Sequence, residues 1–303
     1  MKPYLTVYGH VTVDQIVKVK RFPVLNETVD VMEKKTTLGG TGSNIAIVAA
    51  RLGVPTALAA YVGADFPKQF ADLISDSGVI TDDFVTVGDF ETSSCTIINT
   101  EKMEQKVIFY QGPQGFGTSI GKDLTGCARQ SEKVHFCTGE AEWYLSMMGQ
   151  LRGGPSVAAD PAQETYRFWD KERLEKGIRL CDSLFCNEFE AKIIEERLGV
   201  PNVTDIDLPL VVRTEGEKGS LARIGGERVR IPCIPGSVVA DPTGCGDSYR
   251  AGFYAGLYRG FSVRDSLVLG SSVASFIIEK VGAITNIPEW DDVVRRADPY
   301  LEG

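Results

Sequence analysis

The sharpest chemistry in the chain lies in Asp241-Pro242-Thr243-Gly244-Cys245-Gly246-Asp247, which runs straight into a helical pattern, Cys245 to Arg259. Two glycines let a backbone turn tightly and bring its N–H groups close to a ligand. The first N–H groups of a helix have no partner and carry partial positive charge, so such a loop can cradle an anion. Asp247 sets a carboxylate beside that cradle. A charge sink and a proton acceptor in one place suit phosphoryl transfer to a hydroxyl. Asp247 would take the proton, and Gly244, Cys245 and Gly246 would stabilise the transferred group. Arg250, three residues on, falls near the same helix face and is expected to neutralise phosphate charge. The same residues also suit a plain turn with Asp247 as a helix N-cap.

Two further clusters carry the same double reading. Asn187-Glu188-Phe189-Glu190 follows the apolar run Ser183–Cys186, and open α/β sheets bind ligands at the C-terminal ends of their strands. Asn187 and Glu190 lie three apart on one helix face, where oxygen ligands suit Mg²⁺ carrying nucleotide phosphates. They equally suit an N-cap with a glutamate complementing the helix dipole. Gly39-Gly40-Thr41-Gly42-Ser43-Asn44 is neither a Walker A loop nor a dinucleotide fingerprint. It can admit a substrate hydroxyl close to the backbone, with Asn44 donating, or it can be a glycine-rich turn that opens a helix.

The elements that must position these residues alternate. Strands are expected at Tyr4–Gly9, Pro55–Val62, Lys133–Cys137, Ser156–Ala159, Ser183–Cys186 and Leu208–Thr214. Helices are expected at Ile45–Leu52, Phe66–Ser77, 119–130, 140–151, 169–181 and 187–198, with a helical C-terminal part. Such alternation means a parallel sheet covered by helices on both faces. Two stretches of short, charged, β-branched runs, about 14–36 and 91–111, read as insertions that pair into one small sheet, a lid over the sheet-edge crevice. The whole of 1–303 reads as one α/β domain with that lid, and Ser220–Ile231 as a further hairpin.

Composition narrows the function. Forty-one acidic against 32 basic residues give a net charge of −9, which opposes broad contact with nucleic acid or an anionic membrane. Seven cysteines, an odd number with no Cys-x-x-Cys pair, point to a reduced, cytoplasmic setting, as does an N-terminus without a secretory apolar core. Histidine-dependent hydrolysis or a multi-histidine metal site would have to use His10 or His135, and both sit in apolar strand-like runs that suggest structural roles. Cys245, at a helix N-terminus, is read either as a thiol with a lowered pKa, open to alkylation and protected by ATP, or as an inert buried thiol.

With these motifs together, the sequence resembles the PfkB, or ribokinase-like, family of carbohydrate and nucleoside kinases over essentially its whole length. The resemblance implies a doubly wound, mostly parallel sheet with helices on both faces and a β-sheet lid that often forms a dimer interface. It implies Asp247 as the base and Gly244, Cys245 and Gly246 as the anion hole. Asn187 and Glu190 match its Asn-x-x-Glu element for Mg²⁺ and phosphate. Asp14, Gly40 and Asn44 match positions that hold sugar or ribose hydroxyls, and Thr214 and Gly216 the Thr-x-Gly of the ATP site. Asp241 with Val281-Gly282-Ala283 is compatible with the monovalent cation that some members require.

The substrate side is similar to the adenosine and nucleoside kinases. Pro242 stands where sugar kinases more often have Thr, Asp160-Pro161-Ala162-Gln163 resembles the nucleoside side, and Phe109 is placed to stack a base, with Gln163 a second base contact. The expected activity is ATP-dependent phosphorylation of a nucleoside 5′-hydroxyl. A sugar or sugar-phosphate kinase is the alternative, kept open by Lys18, Lys20, Arg21, Lys34 and Lys35 in the lid. A non-catalytic nucleotide-binding protein is a third reading. Arg213 departs from the family's apolar preference and would touch a phosphate or pair with a carboxylate.

Overall fold

The short apolar runs bounded by turns become strands, and pairing with neighbouring strands satisfies their amide groups once they are buried. The computed structural model describes residues 1–102 and 104–302. Met103, within the 91–111 stretch, and Gly303 lie outside them.

In chain order the elements are β1 (Leu5–Tyr8), β2 (Thr12–Val19), β3 (Val31–Gly39), α1 (Thr41–Arg51), β4 (Thr56–Gly63), α2 (Lys68–Asp76), β5 (Phe84–Val87), β6 (Ser94–Thr100) and β7 (Gln105–Tyr110). There follow α3 (Gly117–Ile120), β8 (Lys133–Phe136), α4 (Ala141–Gln150), β9 (Ser156–Ala159), α5 (Lys171–Ile178), β10 (Ser183–Asn187), α6 (Glu188–Leu198) and β11 (Leu210–Thr214). The chain closes with β12 (Ser220–Ile224), β13 (Glu227–Ile231), α7 (Cys245–Tyr258), α8 (Val263–Ile277) and α9 (Trp290–Ala297).

A nine-stranded sheet runs in the order β13-β12-β11-β10-β9-β8-β1-β4-β5. Neighbouring strands are parallel except at one edge, where β12 runs antiparallel to both β11 and β13. Alternation along β4 sorts side chains between the two faces. Leu58, Ala60 and Val62 join the core under α1, α7 and α8, while Ala59 and Tyr61 join the core under α4, α5 and α6. The expected doubly wound sheet with helices on both faces is therefore the observed fold.

A second sheet of four strands has the order β3-β2-β6-β7, so the two insertions do pair with one another, through β2 and β6 in parallel. Its register decides what it shows the main sheet. Asp14 on β2 lies opposite Cys95 on β6, and Cys95 opposite Phe109 on β7, which sets all three in one row on one face.

Two local expectations fail. The helix expected over 119–130 is only the single turn α3 and a 3₁₀ turn at Ala128–Gln130. Gly121 stops it in the left-handed conformation, φ 68°, where a side chain is strained. The edge strand β5, Phe84-Val85-Thr86-Val87, is additional. It is too short to show a period and exists because β4 offers it a parallel partner.

Candidate active site

The residues singled out above meet at the C-terminal ends of the main strands, where the lid faces them. A cavity of about 440 Å³ is lined by Asp14 and Thr12 of β2, Gly40, Thr41 and Asn44 at the start of α1, and Thr243, Gly244 and Asp247 at the start of α7. Phe109, Cys95 and Val107 of the lid, Gln163 and Arg167 beyond β9, and His10 and Thr138 complete the wall.

Local geometry explains why these residue types stand there. Gly40 has φ 99°, and a Cβ on it would overlap the His10 carbonyl, so only glycine lets the chain leave β3 and enter α1 against the end of β1. That entry aims Asn44 across the site. Its Nδ2 donates to Asp247 Oδ2 at 2.8 Å, and its Oδ1, buried, has no hydrogen-bond partner. Asp14 accepts from Thr12 Oγ1 at 2.6 Å, and burial pushes its carboxyl up.

At the other motif Gly244 is left-handed, φ 78°, and turns the loop into α7. The Cys245 N–H closes onto the Pro242 carbonyl at 3.2 Å and is spent there. The free donors of the first turn are thus those of Gly246 and Asp247 rather than of Cys245. Asp247 is partly buried. Burial pushes its pKa up to about 6 with help from the nearby Asp160 carboxylate, while the Asn44 hydrogen bond and Arg250 pull the other way. A carboxylate poised one unit below neutrality is a working general base.

Asn187 and Glu190 form a complete capping box at the start of α6. Asn187 Oδ1 accepts from the Phe189 and Glu190 N–H groups at 2.8 and 2.9 Å, and Glu190 accepts from the Asn187 N–H and Nδ2 at 2.7 and 2.8 Å. Burial pushes the Glu190 carboxyl up to about 7, with Asp160 adding to it. Among the described residues no three His, Cys, Asp or Glu side chains cluster into a metal cage. Mg²⁺ keeps most of its water and asks for one or two carboxylates plus phosphate oxygens. Glu190, both oxygens already accepting, fits a hydrated ion held through water, not one stripped of its shell. Thr214 stands beside Asn187 in the β10–β11 register, and Gly216 is exposed two residues on with φ 57°. Neither lines the cavity described above, nor do Asn187 and Glu190.

Three expectations are corrected. Arg250 does not face the cavity. Its buried guanidinium is bidentate on Asp160, Nε to Oδ2 at 2.6 Å and Nη2 to Oδ1 at 3.2 Å, and its Nη1 donates to the Gly246 carbonyl at 3.1 Å. Cys245 is not an activated thiol, because burial and the carboxylates of Asp241 and Asp247 push its pKa up to about 11. His10 is more than a core histidine, since its ring forms cavity wall and stands edge-on to Phe109 with centroids 5.2 Å apart. Its Nδ1 meets Thr138 Oγ1 at 2.9 Å, and burial lowers its pKa to about 4, so it stays neutral at working pH.

Geometry bears on two open alternatives. Arg213 pairs with carboxylates, Glu215 at 2.6 Å and Glu195 at 3.5 Å. Of the lid's basic residues, Lys18 and Arg21 are taken up by Glu33 and Glu27. None of Lys18, Lys20, Arg21, Lys34 and Lys35 lines the cavity. Asp241 accepts from the Thr243 and Gly282 N–H groups, both at 2.9 Å, which ties the motif loop to the 281–283 segment. Arg167, Thr12, Thr41 and Thr138 are wall residues that the sequence did not announce. Thr12, two residues before Asp14 and so on the same strand face, was the one with a readable signal.

The chain matches the family model described as pfkB family carbohydrate kinase over residues 2–128 and 156–290. It is 30% identical over 296 residues to the nucleoside kinase of Methanothermobacter thermautotrophicus, an alignment covering 96% of this chain and 94% of that one. It is 26% identical over 279 residues to the ATP-dependent 6-phosphofructokinase of Thermoanaerobacterium thermosaccharolyticum, covering 86% and 84%. The crystal structure of the Methanocaldococcus jannaschii nucleoside kinase, an archaeal member of the ribokinase family, superposes with a TM-score of 0.91 at 29% identity, covering 99% of both chains.

Proposed function

The chain belongs to the pfkB carbohydrate kinase family, and from that premise we propose that it transfers the γ-phosphate of ATP to the 5′-hydroxyl of a nucleoside. The observation that carries this reading is one cavity holding Asp247, Asp14 and Asn44, and the Phe109–His10 aromatic wall together. A sugar alone has no need of the aromatic wall. A sugar phosphate would call for several cations there, whereas among the described residues Arg167 is the one Lys or Arg that lines the cavity and none of the lid's basic side chains does.

The residues then divide the work. Asp14 and the Gly40–Asn44 turn hold the ribose hydroxyls. Phe109, on the His10 edge, stacks the base, and Gln163 and Arg167 meet its polar rim. Asn44 fixes one oxygen of Asp247 and leaves Oδ1 to accept the 5′-hydroxyl proton as the oxygen attacks phosphorus. The Gly246 and Asp247 N–H groups, with the α7 dipole behind them, receive the charge gathering on the transferred group. Thr214 and Gly216 border the nucleotide. Asn187 and Glu190 would hold Mg²⁺ through its water shell, and Mg²⁺ when bound neutralises phosphate charge. Asp241 and the 281–283 segment are where a monovalent cation would stiffen the loop. Ile108 and Tyr110, exposed on the lid's outer face, support a homodimer joined lid to lid.

The test is ADP release with Mg-ATP across adenosine, inosine, guanosine, cytidine, ribose, fructose and fructose 6-phosphate. The reading expects turnover with nucleosides. A clear preference for a sugar or for fructose 6-phosphate would overturn it while keeping the kinase assignment.

A further inference from the structure

A row of buried polar side chains passes beneath the catalytic loop. Tyr254 Oη lies 2.8 Å from His135 Nδ1, and His135 Nε2 lies 3.2 Å from Asp160 Oδ2. Asp160 takes both nitrogens of the Arg250 fork, and Arg250 continues to the Gly246 carbonyl. His135, Asp160, Arg250 and Tyr254 are all buried, Asp160 to 3% and Arg250 to 6% exposure. Two members, Arg250 and Tyr254, are a turn apart on α7. The others belong to the sheet, His135 on β8 and Asp160 just past the end of β9.

An ion pair inside a core is a poor way to gain stability, because desolvating both charges costs about what their attraction returns. What it supplies is direction. Apolar packing lets a helix slide or roll slightly on a sheet, whereas a bidentate guanidinium–carboxylate pair holds one orientation. His135 adds to this while neutral. Burial keeps its pKa down, and the two hydrogen bonds assign Nε2–H as donor to Asp160 and Nδ1 as acceptor from Tyr254. The pinned point lies one turn from Asp247, and Arg250 Nη1 grips the loop residue Gly246 itself. Misplacement of a reacting group by about 1 Å can cost about 100-fold in rate.

We infer that Asp160 is a positioning residue for the transfer step, holding through Arg250 the first turn of α7, and with it Asp247 and the Gly244–Gly246 loop, against the sheet edge. The role rests on the reading of Asp247 as the base. It assigns to Asp160, His135 and Tyr254 a part in the reaction although none of them lines the cavity.

The test compares Asp160→Asn, Arg250→Lys and the double variant Asp160→Asn/Arg250→Gln with the parent enzyme, measuring kcat, both KM values and thermal stability. Asp160→Asn is expected to lower kcat about 10- to 100-fold with the acceptor KM within about threefold, because Asp14 and Phe109 belong to the lid sheet and do not touch the pair. Arg250→Lys keeps the charge but loses the fork, and is expected to lose kcat comparably. The double variant removes both buried charges. It is expected to regain thermal stability without regaining kcat.

Recovery of kcat together with stability in the double variant would reduce the pair to a structural element and overturn the inference. So would a kcat within about threefold of the parent in Asp160→Asn. If Asp160→Asn fails to fold, the other two variants still decide. Asp247→Asn, run alongside, keeps the base reading separate. Its retained turnover would refute that reading, whereas the Asp160 comparison is made within the parent's own reaction.

Discussion

On the proposed reading Asp247 is the base, and its environment makes its behaviour predictable. Burial has pushed its pKa up to about 6, and as a base it works only when ionised. The acid limb of kcat/KM, which reports the free enzyme, is therefore expected near pH 6, falling about tenfold per unit below it. A limb near pH 4 would mean that the carboxylate is not the titrating base. The same shift has the opposite sign for stability. A carboxyl with a raised folded-state pKa contributes stability below the ordinary carboxylate range and loses it as pH rises through about 6. The site is thus least comfortable where it is active. Asp247→Asn is expected to cut turnover by about 10²- to 10⁴-fold. It should leave ATP binding by calorimetry intact, and at pH 8 it should raise the melting temperature. A lowered melting temperature with turnover retained would leave Asp247 a structural role only, as a carboxylate in the first turn of α7.

Elements carry the next set of effects, because α1, α6, α7 and the lid each deliver one group. Asn187 closes the capping box at the start of α6, and the proposed function adds a Mg²⁺-holding duty to that cap. Asn187→Ala is expected to cost about 1 kcal/mol of stability, the usual worth of a lost N-cap, and to raise the Mg²⁺ concentration needed for half-maximal rate. Asn187→Asp keeps the cap, so a normal melting temperature combined with altered Mg²⁺ dependence would separate the two duties. An unchanged Mg²⁺ dependence in both variants would leave only the cap. In the lid, Phe109 sits on the cavity face beside Cys95 and Asp14. Phe109→Ala is expected to lower kcat/KM for a nucleoside by about 1–3 kcal/mol, the worth of one aromatic–base stack, with little change for ribose. An equal loss for both would assign Phe109 to lid packing.

At the scale of the whole molecule, the cavity is shared between the lid and the main sheet, and few polar contacts tie the two around it. Gln111 Nε2 at the end of β7 donates to Glu164 Oε1 at 3.1 Å, and the Val13 N–H bonds the Ser93 carbonyl within the lid's own base. A ligand filling the cavity touches both bodies and stabilises them together. An accepted nucleoside at about 100 times its Kd is expected to add about 2.7 kcal/mol, read as a higher melting temperature. Fructose 6-phosphate at the same concentration should give no such rise. The reverse ranking would move the substrate to the sugar side.

Much of this was already written in the order of residues. Strand–helix alternation, driven by burial of apolar runs on both faces, implied the doubly wound sheet, and the glycines before Asn44 and Asp247 marked the two turns that meet at one cavity. The failed helix over 119–130 and the extra strand β5 show the limit, since a glycine stop and a neighbouring strand outweighed weak local preference. What lay beyond the sequence were pairings between distant residues. Spacing along α7 put Arg250 near the phosphate, but Asp160, 90 positions away, claims its guanidinium. A helix N-terminus promised a reactive Cys245, but two carboxylates and burial reversed the sign. His10 looked like core until the lid closed Phe109 over it. Local sequence determined which groups exist and which backbone shapes they need. Only the tertiary structure decided which charges share a buried space, because in a medium of low dielectric a partner a few ångströms away outweighs every local preference.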